Sequence, residues 1–160
     1  MINRAEAREQ VWNYIVDAPR DAASGARVQA HGKLVALNNS SAWRIVKKGI
    51  SSKAIGPLSE YLGVGKGQVV DYLDLDRTTV SRRAAKDQLL PMHSAEGVLR
   101  LLELDEMASD TFASDEEAAN WLRRPHPMLD GESPLEATKT SFGAQRAKDI
   151  LVAVKYGGVV

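Results

Sequence analysis

The sequence predicts an all-α protein, on three observations. Apolar residues recur at the three- and four-residue spacing of amphipathic helices. No stretch shows the sustained alternation of apolar and polar residues that is typical of half-buried strands. Ser, Thr or Asp precedes several of the apolar runs, and Gly or Pro follows them, which are the usual signals for the beginning and the end of a helix.

Composition limits the size of the core and excludes several kinds of chemistry. The chain has 160 residues, of which 44% are apolar, enough for one compact unit or two small ones. It does not begin with the charged and then apolar stretch of a signal peptide, and no apolar run approaches membrane-spanning length. The absence of cysteine excludes disulfides, thiolate catalysis and cysteine-ligated zinc. We therefore expect a soluble protein of the reducing cytoplasm.

The charges balance over the whole chain but not along it. Residues 44–88 carry nine Lys or Arg against five Asp or Glu, whereas residues 89–136 carry three against eleven. Residues 137–160 are basic again, with four against one. These runs are either the solvated faces of helices, or they indicate a middle segment that meets phosphates and an acidic segment that meets another protein.

The N-terminal segment, residues 1–49, predicts a helix followed by a linker. The helix should run from residue 4 to residue 17. Its apolar stripe contains Val11, Trp12, Ile15 and Val16. Such a helix needs an apolar partner, which is either the body of the same chain or a second copy of the protein. Residues 19–33 lack an apolar period and predict a loop. The segment is thus a candidate dimerisation arm.

Residues 50–88 predict a helix-turn-helix domain. A first helix should begin after a cap at Ser51 or Ser52 and end at Gly63, and residues 67–73 should form a second, short one. A tight turn at residues 74–76 leads into a third helix at residues 77–87. Two short helices joined by so tight a turn are typical of a helix-turn-helix that binds DNA.

The third of these helices has the composition of a recognition helix. Asp76 is placed to cap it, and its outward face mixes arginines with small hydroxyl side chains. Arginine bonds guanine through two hydrogen bonds, and threonine contacts bases or backbone. The residues expected to contact DNA are Arg77, Thr78, Ser81 and Arg82. Two departures favour the alternative of an ordinary helix with solvated arginines: Asp74 stands where many such turns carry glycine, and Arg83 where an aliphatic residue is usual.

Residues 114–134 predict two helices held around a rigid corner. Ser114 and Glu117 form a capping box at the start of the first helix. Pro125 and Pro127 end that helix. Gly131 permits the reversal of the chain. The second helix is expected to begin after Ser133, which forms a capping box with Glu136, and to carry Pro134 at its first position.

A tryptophan and two flanking helices complete the C-terminal pattern. Trp121 lies at helical spacing with Ala118 and Leu122, so we expect it to be a core anchor that locks the corner. Residues 92–109 predict the longest helix, and residues 143–154 predict the last one, both with apolar residues at core spacing.

The corner resembles the signature of the toxin-binding domain shared by the Xre, ParS and MbcA antitoxins of bacteria. The matching residues are Ala118, Trp121, Leu122, Pro125, Pro127, Leu129, Gly131, Pro134 and Leu135. Matches continue on both sides, over about residues 50–160 of the chain. The resemblance implies that residues 89–160 form a compact helical toxin-binding domain behind the helix-turn-helix.

The resemblance also implies partners. In that family the usual toxin has a RES domain and acts on NAD, although related antitoxins pair with other toxins. The antitoxin binds operator DNA to repress its own operon. The family's threonine and arginine-pair pattern adds Thr79 and Arg83 to the expected DNA contacts. The expected toxin contacts are Arg123, Arg124, His126, Lys155, Tyr156, Gly157, Gly158, Val159 and Val160.

The last residues of the chain suggest how a toxin would be neutralised. Tyr156 offers a large rigid contact, the next two glycines let the backbone enter a narrow space, and the final valines end in a carboxylate. A cleft built for the phosphates of a dinucleotide is cationic, so this tail could occupy a substrate-anion position. The alternative is docking elsewhere on the toxin.

Catalytic, metal and cofactor sites are not expected. Residues 63–67 contain three glycines and a lysine but lack the spacing of a phosphate-binding loop. His31, His93 and His126 are scattered without the spacing of metal ligands. Residues 115–117 are acidic, and a capped helix start accounts for them. The chain is therefore not expected to be an enzyme.

Two other functions stay open at this point. The first is a free-standing helix-turn-helix transcription regulator whose C-terminal domain only dimerises. The second is a structural or adaptor protein whose helix-turn-helix no longer binds DNA. Because operators commonly consist of two symmetric half-sites, we expect a homodimer, with Trp12, Ile15 and the helix near Leu99 as candidate contacts.

Overall fold

The computed structural model describes residues 3–15 and 39–157, and its regular elements in these ranges are helices, apart from one isolated β-bridge between Ser51 and Leu89. The all-α prediction is thereby confirmed. The helices are α1 (Arg4–Ile15), α2 (Asn39–Lys48), α3 (Ile55–Leu62), α4 (Lys66–Tyr72), α5 (Arg77–Ala85), α6 (Met92–Thr111), α7 (Asp115–Arg123), α8 (Pro134–Ala137) and α9 (Ser141–Lys155). Short 3-10 turns lie at Ser52–Ala54 and Pro127–Leu129. The predicted loop at residues 19–33 lies outside the described residues.

The chain divides into two compact units, residues 1–96 and residues 97–160, which we call the N-terminal unit and the C-terminal unit. The division falls inside α6. The first residues of this helix thus belong to the N-terminal unit, and the rest of it belongs to the C-terminal unit.

Helix α1 packs against α3 within the N-terminal unit. Its buried residues are Ala7, Val11, Trp12 and Ile15. On the same helix, the guanidinium groups of Arg4 and Arg8 lie 5.1 and 5.8 Å from the centre of the Tyr61 ring, within the range of cation–π attraction. Of the two partners that the sequence left open for this helix, the body of its own chain is the one observed.

The residues named as candidate dimer contacts are not on the surface. The side chains of Trp12, Ile15 and Leu99 are 4%, 3% and 6% exposed. A second copy of the chain could reach them only by unpacking the units that bury them. The prediction of Trp12 and Ile15 as contacts is therefore wrong, because their apolar side chains find their partners within the same chain. The helix near Leu99 stays a predicted contact, since residues such as Met92 and Glu96 on it are exposed.

A tight turn joins α4 to α5, as predicted. Asp74 in this turn has φ of 54°, in the left-handed region that glycine enters most easily and that aspartate tolerates better than most residues. This explains the aspartate at a position where glycine is common. The start of α6 holds the turn in place, since the Ser94 hydroxyl donates a hydrogen bond of 2.9 Å to the carbonyl oxygen of Leu73.

The C-terminal unit buries apolar side chains from α6, α7, α8 and α9. In α7 the core positions are Ala118 and Leu122, which are 0% and 2% exposed. Trp121 is only half-buried, so the expectation of a core anchor is wrong. The reason is helical geometry: Trp121 stands about 100° around the helix from Leu122, which moves it to the edge of the apolar stripe.

Helix α9 begins so close to the end of α8 that no side chain would fit between them. The Thr140 hydroxyl caps α9 by accepting a hydrogen bond of 3.0 Å from the Gly143 amide. A Cβ atom on Gly143 would lie 2.1 Å from the carbonyl oxygen of Ala137. Because that oxygen belongs to the backbone, it cannot turn away as the end of a flexible side chain would. Glycine at this position is what lets the two helices meet.

Replacing this glycine should destabilise the C-terminal unit. We expect Gly143→Ala to lower the free energy of unfolding by about 1 to 3 kcal/mol, because the backbone of α8 or α9 must shift. Urea unfolding measures the change. The matched control is Gly56→Ala in α3, where a Cβ atom would meet only the flexible Lys66 side chain, at 3.6 Å. That variant should change the free energy of unfolding by less than about 1 kcal/mol, because the advantage of helical alanine over glycine is offset by the ring of Pro57, which follows directly. Equal effects at the two positions would contradict this explanation.

The cap of α5 should make stability depend on pH. The amide and hydroxyl groups of Thr79 both donate to the Asp76 carboxylate at 2.9 Å and hold its pKa below the usual value of 3.8. A pKa that is lowered in the folded state contributes stability above the unfolded-state pKa, and this contribution disappears as the pH falls through the folded-state pKa. Between neutral pH and about pH 2, the wild type should therefore lose more thermal stability than Asp76→Asn, which keeps an acceptor but does not titrate. Parallel melting curves for the two proteins would show that the cap carries no such dependence.

Candidate functional site

The outward face of α5 carries the four residues that the sequence predicted as DNA contacts. Arg77, Thr78, Ser81 and Arg82 are all exposed. The Asp76 cap fixes the first turn of the helix, so these side chains start from a defined backbone. An exposed face with two guanidinium groups and two hydroxyl groups is suited to bind phosphates and the edges of bases.

Helix α4 supports Arg77 from the side. The guanidinium group of Arg77 lies 3.5 Å from the Asp71 carboxylate. It also passes over Gly67, where a Cβ atom would come within 3.2 Å of it. The Asp71 carboxylate and the absence of a side chain on Gly67 thus give the guanidinium group a defined position beside α4.

The two residues that only the family pattern suggested as DNA contacts, Thr79 and Arg83, have hydrogen-bond partners within their own unit. The Thr79 hydroxyl donates to the Asp76 cap. The guanidinium group of Arg83 donates a hydrogen bond of 3.0 Å to the carbonyl oxygen of Leu89, so its side chain turns toward its own unit. Both residues are half-buried. The four residues of the outward face, by contrast, are exposed.

In the C-terminal unit, a network of hydrogen bonds closes the corner between α7 and α8. The carbonyl oxygen of His126 accepts from the amides of Leu129 and Gly131, at 3.0 and 3.2 Å, and its amide donates to the carbonyl oxygen of Glu132 at 2.9 Å. Asp130 and Gly131 make the reversal with φ of 54° and 84°. These hydrogen bonds leave the turn little freedom.

Neighbouring elements brace the corner on both sides. The capping box at the start of α8 is confirmed, with hydrogen bonds of 2.7 and 3.2 Å between Ser133 and Glu136. At the start of α7, the Ser114 hydroxyl accepts from the Glu117 amide at 3.2 Å. From α9, the guanidinium group of Arg146 donates a hydrogen bond of 2.8 Å to the carbonyl oxygen of Met128. The corner is thus tied to three helices.

An open pocket with aromatic walls lies beside the corner. The centre of the Trp121 ring is 5.8 Å from that of Phe112 and 6.2 Å from that of His126, the latter in an edge-to-face arrangement. All three rings are half-buried. The pocket has a volume of about 450 Å³. Its other lining residues are Glu117, Asn120, Arg124 and Pro125. We call this site the aromatic pocket.

Ion pairs hold the end of α9 against α6. The Lys155 ammonium group binds the Asp110 carboxylate, and this contact raises the pKa of the lysine. About two turns earlier, Lys148 pairs with Glu103 at 2.8 Å. Tyr156, directly after the helix, is 78% exposed, and Gly157 comes next with φ of 78°. The predicted contacts Gly158, Val159 and Val160 lie outside the described residues.

The predicted toxin contacts therefore fall into two groups. Arg124 and His126 line the aromatic pocket, whereas Lys155, Tyr156 and Gly157 stand at the end of α9. Arg123, although exposed, donates a hydrogen bond of 3.1 Å to the carbonyl oxygen of Ala119 in its own helix.

Sequence reasoning missed three residues that the structure makes conspicuous. Phe112 and Asn120 line the aromatic pocket, and no spacing rule connects them. Phe142 is 87% exposed, the most exposed of the large apolar side chains among the described residues. This last residue did leave a signal, because it falls outside the apolar stripe through Ala147 and Ile150.

The described ranges contain neither a membrane span nor a metal site. No helix there is both long and apolar enough to cross a membrane. Likewise, no three His, Asp or Glu residues of those ranges are grouped so as to hold a metal ion.

Comparison with known proteins extends these observations. Residues 107–157 match the family model described as the antitoxin Xre/MbcA/ParS C-terminal toxin-binding domain. This range contains α7, the corner, α8, α9 and the aromatic pocket. A curated relative from Sphingobium sp. (strain YBL2), named "Prs ADP-ribosylating antitoxin", is 29% identical over 122 residues, which cover 71% of this chain and 77% of the relative. These matches confirm the resemblance: residues 107–157 of this chain carry a toxin-binding domain of the Xre/MbcA/ParS antitoxin type.

Proposed function

We propose that this chain is an antitoxin that neutralises a RES-domain toxin acting on NAD, and that it represses its own operon by binding operator DNA. The observation that carries the proposal is the match of residues 107–157 to a toxin-binding domain. The matched range extends to the end of α9, where Tyr156 is exposed and the tail begins. The chain itself would act by binding alone, without catalysis.

The name of the relative supports a toxin that acts on NAD. That name joins ADP-ribosylation to an antitoxin. ADP-ribosyl groups are transferred from NAD, so the name agrees with a partner whose cleft binds this dinucleotide. A cleft of this kind must carry positive charge to hold two phosphates.

We propose further that the end of α9 places the tail in the toxin's cleft. The Lys155–Asp110 ion pair fixes the direction of the last turn, which makes Lys155 a positioning residue for the tail. Tyr156 is exposed and ready for contact. The residues that follow Tyr156 would then enter the cationic cleft. Arg123, together with Arg124 and His126 at the aromatic pocket, would contact the toxin beside the tail.

For operator DNA we propose the four exposed polar residues of α5, which are Arg77, Thr78, Ser81 and Arg82. Thr79 and Arg83 would act indirectly, through the cap and through the packing of α5 on its own unit. The basic charge of residues 44–88 adds attraction to phosphates that does not depend on sequence.

The tail can be tested by deletion. Removing residues 157–160 should abolish or greatly weaken neutralisation, because the plug is lost, and should leave operator affinity unchanged. The toxin is taken from the gene adjacent to that of the antitoxin, and the assays are growth of cells that co-express both genes and their NAD content. If the truncated chain still rescues growth and preserves NAD, the tail does not act as a plug. If the neighbouring gene is not toxic and the full chain does not bind its product, the assignment of the toxin is wrong.

Substitutions on α5 test the DNA proposal. Arg82→Ala should weaken operator binding by about 1 to 3 kcal/mol if Arg82 contacts a base, and should flatten the dependence on salt if it contacts a phosphate. The matched control is Arg44→Ala, which removes the same exposed group from α2, in the same basic segment but outside α5, and should change operator affinity far less. Fluorescence anisotropy across a range of salt concentrations measures both effects. Unchanged affinity of a folded Arg77→Ala, Arg82→Ala protein would contradict the assignment.

A further inference from the structure

Two residues of α4, Gly67 and Asp71, lie around the guanidinium group of Arg77. They occupy one face of α4, about one helical turn from each other. One guanidinium nitrogen of Arg77 is 3.5 Å from the Asp71 carboxylate. A Cβ atom on Gly67 would come within 3.2 Å of the same nitrogen. The group that ends this long side chain is therefore held in one place, between an anion and a gap in the surface of α4.

The Asp71 carboxylate is not explained by stability or by affinity for DNA. The side chains of Arg77 and Asp71 are 71% and 58% exposed, and an ion pair so accessible to water contributes little to folding. A negative charge beside α5 also repels the phosphates that this helix is proposed to approach. What the carboxylate does supply is a direction for the guanidinium group, since a planar group with fixed donors can be oriented by one partner.

Arg77 stands where a recognition helix contacts bases. It is the first residue of α5, directly after the Asp76 cap, and the N-terminal residues of such helices contact base edges in the major groove. A guanidinium group has several N–H donors, so one nitrogen can face Asp71 while the others bond O6 and N7 of guanine. Arg82 shares the outward face, but in the described part of the chain no hydrogen bond or ion pair holds its guanidinium group. The two arginines thus differ in how far their direction is fixed before DNA binds.

We infer that Asp71 and Gly67 are positioning residues that direct Arg77 to a guanine of the operator. The inference rests on the DNA binding proposed for α5, and it assigns to α4 a part in the choice of sequence. An arginine held in its bonding geometry loses little freedom on the correct base, and it is held back from the phosphates at a wrong one. A carboxylate that weakens binding to all DNA thereby widens the difference in affinity between the operator and other sequences.

Selection from random-sequence duplexes, followed by sequencing, measures the base preference of the full chain at each position. The wild type should prefer guanine at a position where Arg77→Ala has no preference. Asp71→Asn should lower this guanine preference by about fivefold or more, the lower end of what a bidentate contact supplies, and should leave the preferences at other positions unchanged. Its affinity for random DNA should stay equal or rise, because a negative charge is lost. A loss of folding would instead weaken specific and random binding together.

Two further backgrounds show whether Asp71 acts through Arg77. In an Arg77→Ala protein, adding Asp71→Asn should not change the base preferences, because the side chain that Asp71 orients is absent. In an Arg82→Ala protein, the same substitution should still weaken the guanine preference, since Arg77 is intact there. Melting curves check that all variants fold. An additional loss in the Arg77→Ala background would mean that Asp71 acts by another route, and the inference would be wrong.

Gly67→Ala tests the position of the guanidinium group without changing a charge. The new Cβ atom requires this group to move by a few tenths of an ångström. The guanine preference should therefore fall, by a smaller factor than in Asp71→Asn, while α4 itself becomes slightly more stable. Wild-type preferences in Arg77→Ala, or in both α4 variants, overturn the inference, and so does an equal loss of preference at every position. A wild type that selects no sequence at all shows that the DNA proposal is wrong, and the inference fails with it.

Discussion

The hydrogen-bonded corner between α7 and α8 is the constraint on which the C-terminal unit depends. A single carbonyl group, that of His126, accepts two amides and thereby reverses the chain within a few residues. Asp130 and Gly131 supply the left-handed conformations that the reversal requires. Because Arg146 of α9 also bonds to this corner, the position of the last helix depends on it.

The helices around the corner are too short to persist alone, and their ends show how they are stabilised. Helix α8 has only four residues, and an isolated helix of this length has no net stability. A capping box at its start and the close approach of Gly143 at its end replace the missing length. Helix α8 exists because neighbouring residues form hydrogen bonds with its backbone and pack against it. The packing at Gly143 is so close that a side chain there would not be tolerated.

The arginines of α5 show how one residue type takes two roles within one helix. Arg82 and Arg83 are adjacent in sequence but stand about 100° apart around the helix axis. The first is exposed, and the second donates to the carbonyl oxygen of Leu89 in its own unit. Two guanidinium groups, those of Arg77 and Arg82, therefore lie on the face that also carries the hydroxyl groups, while that of Arg83 is held away from it.

Local patterns in the sequence were sufficient for the helices, the caps and the corner. Ser133, Pro134 and Glu136 indicate the start of α8 because a capping box involves neighbours only, and the turn before α5 is short enough to be recognised in the same way. The family resemblance likewise rests on residues that lie close together along the chain. Packing between distant segments was decided by the tertiary structure alone. Periodicity gave α1 an apolar stripe but could not name its partner, and it placed Trp121 in the core although the edge of the stripe faces a pocket. That pocket brings Phe112 next to Trp121 and His126, and a spacing rule cannot predict this, because it depends on how the turn between α6 and α7 folds the chain back.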